Sequence, residues 1–232
     1  MLHLHFLITR KDGLSRQAFS DHWRNVHAPL AGTIPGIRRY VQNHTPPIVS
    51  KNPPHDGIVE IWLDDAAAAK AAFDSPEYRN GAYVDEPNFV NLKQVTRLRT
   101  HDHVMLAGEP IGQDDDLVKR VSFIKRKPGM SPEEFSDYWR EVHGPLALDL
   151  PGMRRYVQCH VVPSAYDKDE PAYDGVAQIW FETMADLQYA LNSSAYKDGA
   201  QADGPKFVDP DHLVHLLTEE NRVVWPGAGT GK

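Results

Sequence analysis

The sequence predicts an α+β fold made of two βαββαβ repeats in one chain. Three observations predict it: an internal duplication, strand and helix signals in the same order in both copies, and a sheet face that each copy leaves uncovered. An offset of 116 residues carries Gly13 to Gly129, Trp23 to Trp139, His27 to His143, Pro35 to Pro151 and Tyr40 to Tyr156. Between Arg10 to His44 and Arg126 to His160, 22 of 35 positions are identical. After a two-residue insertion the offset becomes 118, pairing Asp56-Gly57 with Asp174-Gly175, Trp62 with Trp180, Tyr78 with Tyr196 and Phe89 with Phe207. The stretch AGEPIGQDDD breaks periodicity with Gly, Pro and an acidic run. It places a linker at 107–116, between a first repeat at 1–106 and a second at 117–225, with a flexible tail expected at 226–232.

Taken in order, HLHFLIT and VSFIK alternate as strands do, and a helix opens at Ser15 and at Ser131. The second start is the fuller one: Ser131 caps, Pro132 takes the first helical position, and Glu134 completes a capping box. Pro29 and Pro145 are expected to stop that helix. RRYVQNH and DGIVEIW read as strands two and three, Asp65 to Phe73 and Thr183 to Leu191 as the second helix, and QVTRLRT and HLVHLLT as strand four. This order gives a four-stranded antiparallel sheet with both helices on one face, a ferredoxin-like half. Its other face is bare, and the second copy can cover it, which would close a barrel-like body around a cavity.

Composition narrows the function. The 25 basic against 32 acidic residues give a net charge of −7, which disfavours nucleic acid and anionic membrane surfaces as partners. Cys159 stands alone, so no internal disulfide forms, and a cytoplasmic setting is the simplest reading. The apolar run of MLHLHFLITR is too short for a signal sequence or a membrane span. A small-molecule substrate is the expected partner, with further pairing into a homodimer open.

Phe19, Trp23 and His27 recur at i, i+4 and i+8 on the first helix, as do Phe135, Trp139 and His143. The histidine is either a structural group at the helix end or a functional one. On strand two, period-two alternation puts Arg38, Tyr40, Gln42 and His44 on one face, matched by Arg154, Tyr156, Gln158 and His160; the Val41 face is expected to pack under the helices. Glu60 and Trp62 of strand three, answered by Gln178 and Trp180, are expected on the side of Tyr40. That polar face is either a hydrogen-bond network joining the halves or the lining of a ligand pocket.

RKPGMSPEEFSDYWREVHGPLALDLPGMRRYVQ and its first-copy partner, with their F-x3-W-x3-H-x-P-L and P-G-x-R-x-Y core, resemble the EthD family of the dimeric α+β barrel superfamily. The resemblance covers both halves and implies the usual dimer fused into one chain, a pseudo-dimeric α+β barrel. It also implies a place in a degradation or natural-product pathway. The related methylmuconolactone isomerases move protons on small lactones without a cofactor. Carried over, this makes His27 and His143 acid/bases and Tyr40 and Tyr156 their partners. Arg38, Gln42, His44, Trp62, Arg154, Gln158, His160 and Trp180 then become substrate-binding. Only the first copy keeps an ionisable Glu60, so that half is expected to be the more active. The reading is a cofactor-free isomerase or a lyase of dehydratase or cyclase type, acting on a small cyclic or aromatic carbonyl compound.

Three rivals stand beside it. His3 with His5, and His101 with His103, have ligand-like spacing on a strand, and with Glu60 or His44 could hold a metal. Haem occurs elsewhere in the superfamily, although nothing here singles out an axial ligand. A non-catalytic small-molecule binding protein is the third.

Overall fold

The computed structural model describes residues 1–46 and 54–226; the expected tail lies outside them apart from Pro226. The first repeat runs β1 (Leu2–Ile8), α1 (Arg16–His22), α2 (Ala28–Ala31), β2 (Arg39–His44), β3 (Gly57–Leu63), α3 (Ala66–Asp74), α4 (Tyr83–Phe89) and β4 (Thr96–Leu106). The second runs β5 (Val118–Ile124), α5 (Pro132–Tyr138), α6 (Gly144–Leu148), β6 (Met153–Val161), β7 (Gly175–Phe181), α7 (Met184–Asn192), α8 (Gln201–Asp203) and β8 (Val214–Val224). This is the α+β fold of two ferredoxin-like βαββαβ repeats that the sequence predicts.

The helix starts form as read. The Ser15 hydroxyl accepts the Ala18 N–H at 3.1 Å, and Ser131 and Glu134 close a capping box. Pro29 and Pro145, however, do not stop the helix. A π-helical turn comes after α1 at Trp23–His27 and after α5 at Trp139–His143, and the chain continues into α2 and α6. Each proline then falls in a first helical turn, where its missing N–H costs nothing. β4 and β8 are longer than expected, at 11 residues each.

Two compact units result, and they cut across the repeats: Met1–Arg99 with Gly112–Asp115 and Thr218–Lys232, and Thr100–Ile111 with Asp116–Leu217. β4 and β8 each therefore begin in one unit and end in the other. In the first unit β1 and β2 pair antiparallel with β3, and the end of β8 pairs with β2. In the second, β5 and β6 pair with β7, and the later part of β4 pairs with β6. Among the described residues, no helix is long and apolar enough to cross a membrane.

In each unit the helices cover one sheet face with an aromatic core. Phe19, Trp23 and Phe89 pack with Ile8 and Val90, and Phe135, Trp139 and Phe207 repeat this with Ile124 and Val208. The indoles of Trp23 and Trp139 are fully buried, each against the backbone of the glycine that opens β3 or β7. Burying aromatic groups of this size is worth on the order of 1.5–3 kcal/mol each.

Candidate active site

Between the helices and the sheet, each unit holds a cavity: about 100 Å³ in the first and about 290 Å³ in the second. His27, Tyr40 and Trp23 line the first; His143, Tyr156 and Trp139 line the second. The π-helical turn ends on the histidine in both.

Each histidine is held by an aspartate. His27 Nδ1 donates to Asp85 Oδ2 at 3.0 Å, and His143 Nδ1 donates to Asp203 Oδ2 at 3.1 Å. Because a carboxylate only accepts, Nδ1 carries the proton and Nε2 is the bare base. Burial pushes both imidazoles below their ordinary value, and the aspartate partly reverses this, so both are neutral at pH 7. Burial alone would raise Asp85, but hydrogen bonds from Asn88, His22 and His27 outweigh it and hold the carboxyl low. Asp203 is held low in the same way by Tyr138, Lys206 and His143.

The tyrosines are oriented from the opposite side. Gln42 Nε2 donates to the Tyr40 hydroxyl at 2.9 Å and to the Trp23 carbonyl at 2.8 Å, while its Oε1 accepts from His44 Nε2 at 3.2 Å. Ser20 Oγ completes the chain at 2.9 Å from His44 Nδ1. Ser136, His160, Gln158 and Tyr156 reproduce it at 2.7, 3.1 and 2.8 Å. Since Gln42 and Gln158 donate to the phenol oxygens, the tyrosine O–H protons remain free to donate. Desolvation raises Tyr40, and pushes Tyr156 up to about 12, so both stay protonated. The indole N–H groups of Trp23 and Trp139 act on the same phenol oxygens and, with the glutamines, offset part of the rise that burial imposes.

The structure therefore reverses the face assignment of strand two. Tyr40, Gln42 and His44 lie under the helices, and Val41 lies on the other face. Glu60 pairs with Val41 across the ladder, and Trp62 with Arg39, so neither shares a side with Tyr40. Trp62 stacks on His3 at 3.7 Å, and Lys119 sits 4.6 Å from the Trp180 ring. Arg38 is exposed and pairs with Asp64, and Arg154 pairs with Glu182. Glu60, Trp62, Trp180, Arg38 and Arg154 thus line neither cavity, while Gln42, His44, Gln158 and His160 position the tyrosines. The expectation of a more active first half depended on Glu60 standing beside Tyr40 or His44, and that premise fails.

Sequence reasoning passed over Asp85 and Asp203. The signal was present, because the 118 offset that pairs Phe89 with Phe207 also aligns DEPNF with DGPKF.

His44 and His160 are pushed down to about 3 by burial first, with nearby cations adding to it. The unfolded chain, with histidine near 6.5, binds protons that the folded chain refuses between those values. Stability is thus fully present above pH 6.5 and is lost as pH falls toward 3. Thermal melts are expected to be level from pH 8 to 7 and to fall steeply below 6, with His44→Gln plus His160→Gln flattening the fall. A melting temperature unchanged from pH 7 to 4 would show these rings to be solvated.

Of the metal-type pairs, His3 Nε2 and His5 Nδ1 lie 3.4 and 3.6 Å from Glu60 Oε1, so these three converge in the first unit. The second Glu60 oxygen accepts from Asn43 at 2.7 Å. His44, on the opposite sheet face, does not join them. His101 is exposed and His103 packs edge-on against His160.

The EthD domain model matches residues 11–93 and again 127–211. The chain belongs to the EthD family. An uncharacterised 11.0 kDa protein of Rhodococcus erythropolis, from the thcB–thcC intergenic region, is 30% identical over 89 residues, which covers 38% of this EthD chain and 84% of that protein. Among solved structures, an anthrone oxidase-like protein is similar with a TM-score of 0.67 at 11% identity, covering 96% of this chain and 93% of that one. A mutant chlorite dismutase from Candidatus Nitrospira defluvii gives 0.53 at 11% identity, covering 96% and 92%. At such identities the likeness of the EthD chain to these structures is one of fold.

Proposed function

We propose that this protein is a cofactor-independent acid–base enzyme acting on small cyclic or aromatic carbonyl compounds, as an isomerase or a lyase of dehydratase or cyclase type. The observation that carries the reading is the pairing, in one cavity and in duplicate, of an aspartate-held imidazole with a protonated tyrosine. His143 Nε2 would take a proton from carbon next to the substrate carbonyl. The electron pair moves onto the carbonyl oxygen, where the Tyr156 O–H donates to the developing enolate. Return of the proton to another carbon isomerises the substrate, and loss of a β-leaving group from the enolate completes an elimination. His27 and Tyr40 would act likewise in the smaller cavity. General acid–base steps of this kind are worth about 10²- to 10⁴-fold each.

The reading is tested by tracking solvent deuterium uptake by NMR into the α-carbons of α-tetralone and γ-lactone probes. The wild-type chain is expected to accelerate exchange, and the His27→Ala, His143→Ala double variant to abolish the acceleration with its fold intact. Probe binding without any exchange would make each cavity a carrier site and end the enzymatic reading.

A further inference from the structure

The two cavities differ in charge as well as in size. In the first unit Glu86 and Arg97 both line the cavity, and the Arg97 charge is felt by the Glu86 carboxyl, so this pocket carries its own counterion. The second repeat dismantles that arrangement. The 118 offset replaces Glu86 with Gly204, which removes the acid and adds room, and replaces Arg97 with His215. On the first strand, Leu4 and Phe6 become Arg120 and Ser122, whose partners across the ladder are Ile179 and Ala177 where the first repeat has Ile61 and Val59.

Arg120 is half-buried, and no carboxylate pairs with it among the described residues. The residues lining this cavity include no acid. Ser122 Oγ and His215 Nδ1 lie 2.8 Å apart. If the serine donates, the imidazole keeps a free Nε2–H; if the imidazole donates, the serine O–H is free. Either tautomer leaves one donor beside the guanidinium. His215 is exposed at the mouth of the pocket; partial desolvation, then the Arg120 charge, hold it below its ordinary value and hence neutral. A fixed cation and a neutral donor in an acid-free pocket match a planar anion that accepts at two oxygens.

We propose that the cavity of the second unit binds the carboxylate of a small organic acid through Arg120 together with the Ser122–His215 pair. The ligand supplies the negative charge that Glu86 builds into the first repeat. Its volume, at the lower end of the ~300–1,000 Å³ typical of ligand pockets, suits a compound of one ring. This names a substrate class for the site proposed above, and it rests on that reading only for the claim that the bound acid is turned over.

Calorimetric titration of the full chain with benzoate and with its neutral isostere benzamide tests the proposal. Benzoate is expected to bind once per chain and benzamide at least about tenfold more weakly, the worth of one charge-assisted pair. Arg120→Leu, which installs the first repeat's residue, is expected to erase that preference and leave benzamide binding unchanged. Gly204→Glu should do the same: a Cβ there meets nothing within 4 Å, so the carboxylate can enter without disturbing the fold. Gly204→Glu also keeps the proposal testable should Arg120→Leu fail to fold. Equal binding of the two probes by wild type, or a benzoate preference that survives either substitution, would overturn it. A wild-type chain that binds benzoate in preference to benzamide without exchanging probe protons leaves this proposal standing and removes the acid–base reading. Exchange without carboxylate preference does the reverse.

Discussion

Asp203→Asn is expected to slow proton exchange about 10²- to 10⁴-fold in a chain whose first unit has been silenced by His27→Ala. The cause is positional. Asp203 Oδ2 holds the proton on Nδ1 of His143 and so keeps Nε2 basic. An asparagine can present its NH2 group instead of its carbonyl, and that favours the other tautomer. A pH profile separates this from mere loss of structure. Burial depresses His143 and Asp203 raises it part of the way back, so the wild-type acid limb should fall below 6.5. Without the aspartate charge the limb should move further toward acid while the plateau drops. An unchanged plateau and limb in a folded Asp203→Asn chain would remove the aspartate from the chemistry.

Gly57→Ala and Gly175→Ala are expected to destabilise the chain strongly. A Cβ at Gly57 would stand 2.4 Å from Cζ3 of Trp23, and one at Gly175 would stand 2.3 Å from Cζ3 of Trp139. Neither indole can yield, because each is wholly buried and its backbone carbonyl accepts the glutamine that orients the tyrosine. Overpacking of this kind costs about 1–3 kcal/mol, and a chain of this size loses about 2–4 °C of melting temperature per kcal/mol. Gly81→Ala is the control, since a Cβ there meets nothing within 4 Å. If the Gly57 and Gly175 variants melt with that control, the tryptophans do not pack on these strands as described.

The repeat, the element order and the Ser15 and Ser131 helix starts were legible because each depends on neighbours in sequence. The side on which strand two packs was not. Alternation separates Tyr40, Gln42 and His44 from Val41, but it does not say which set meets the helices. Polarity pointed the wrong way because Ser20 and the Trp23 carbonyl satisfy these groups inside the core, and both come from a helix distant in sequence. Asp85 and Asp203 escaped notice for a related reason. They stand in stretches with no clean periodicity, and their meaning lies in a histidine 58 or 60 residues away.

The π-helical turns at Trp23–His27 and Trp139–His143 also fix a direction. A turn of this kind holds an added residue, and each residue rotates the next side chain by about 100° around the axis. The bearing of both imidazoles is therefore a matter of counting. Shortening either turn by a single position would swing the ring away from its hollow and its tyrosine, disarming the proposed chemistry while every side chain it calls on stayed in the chain.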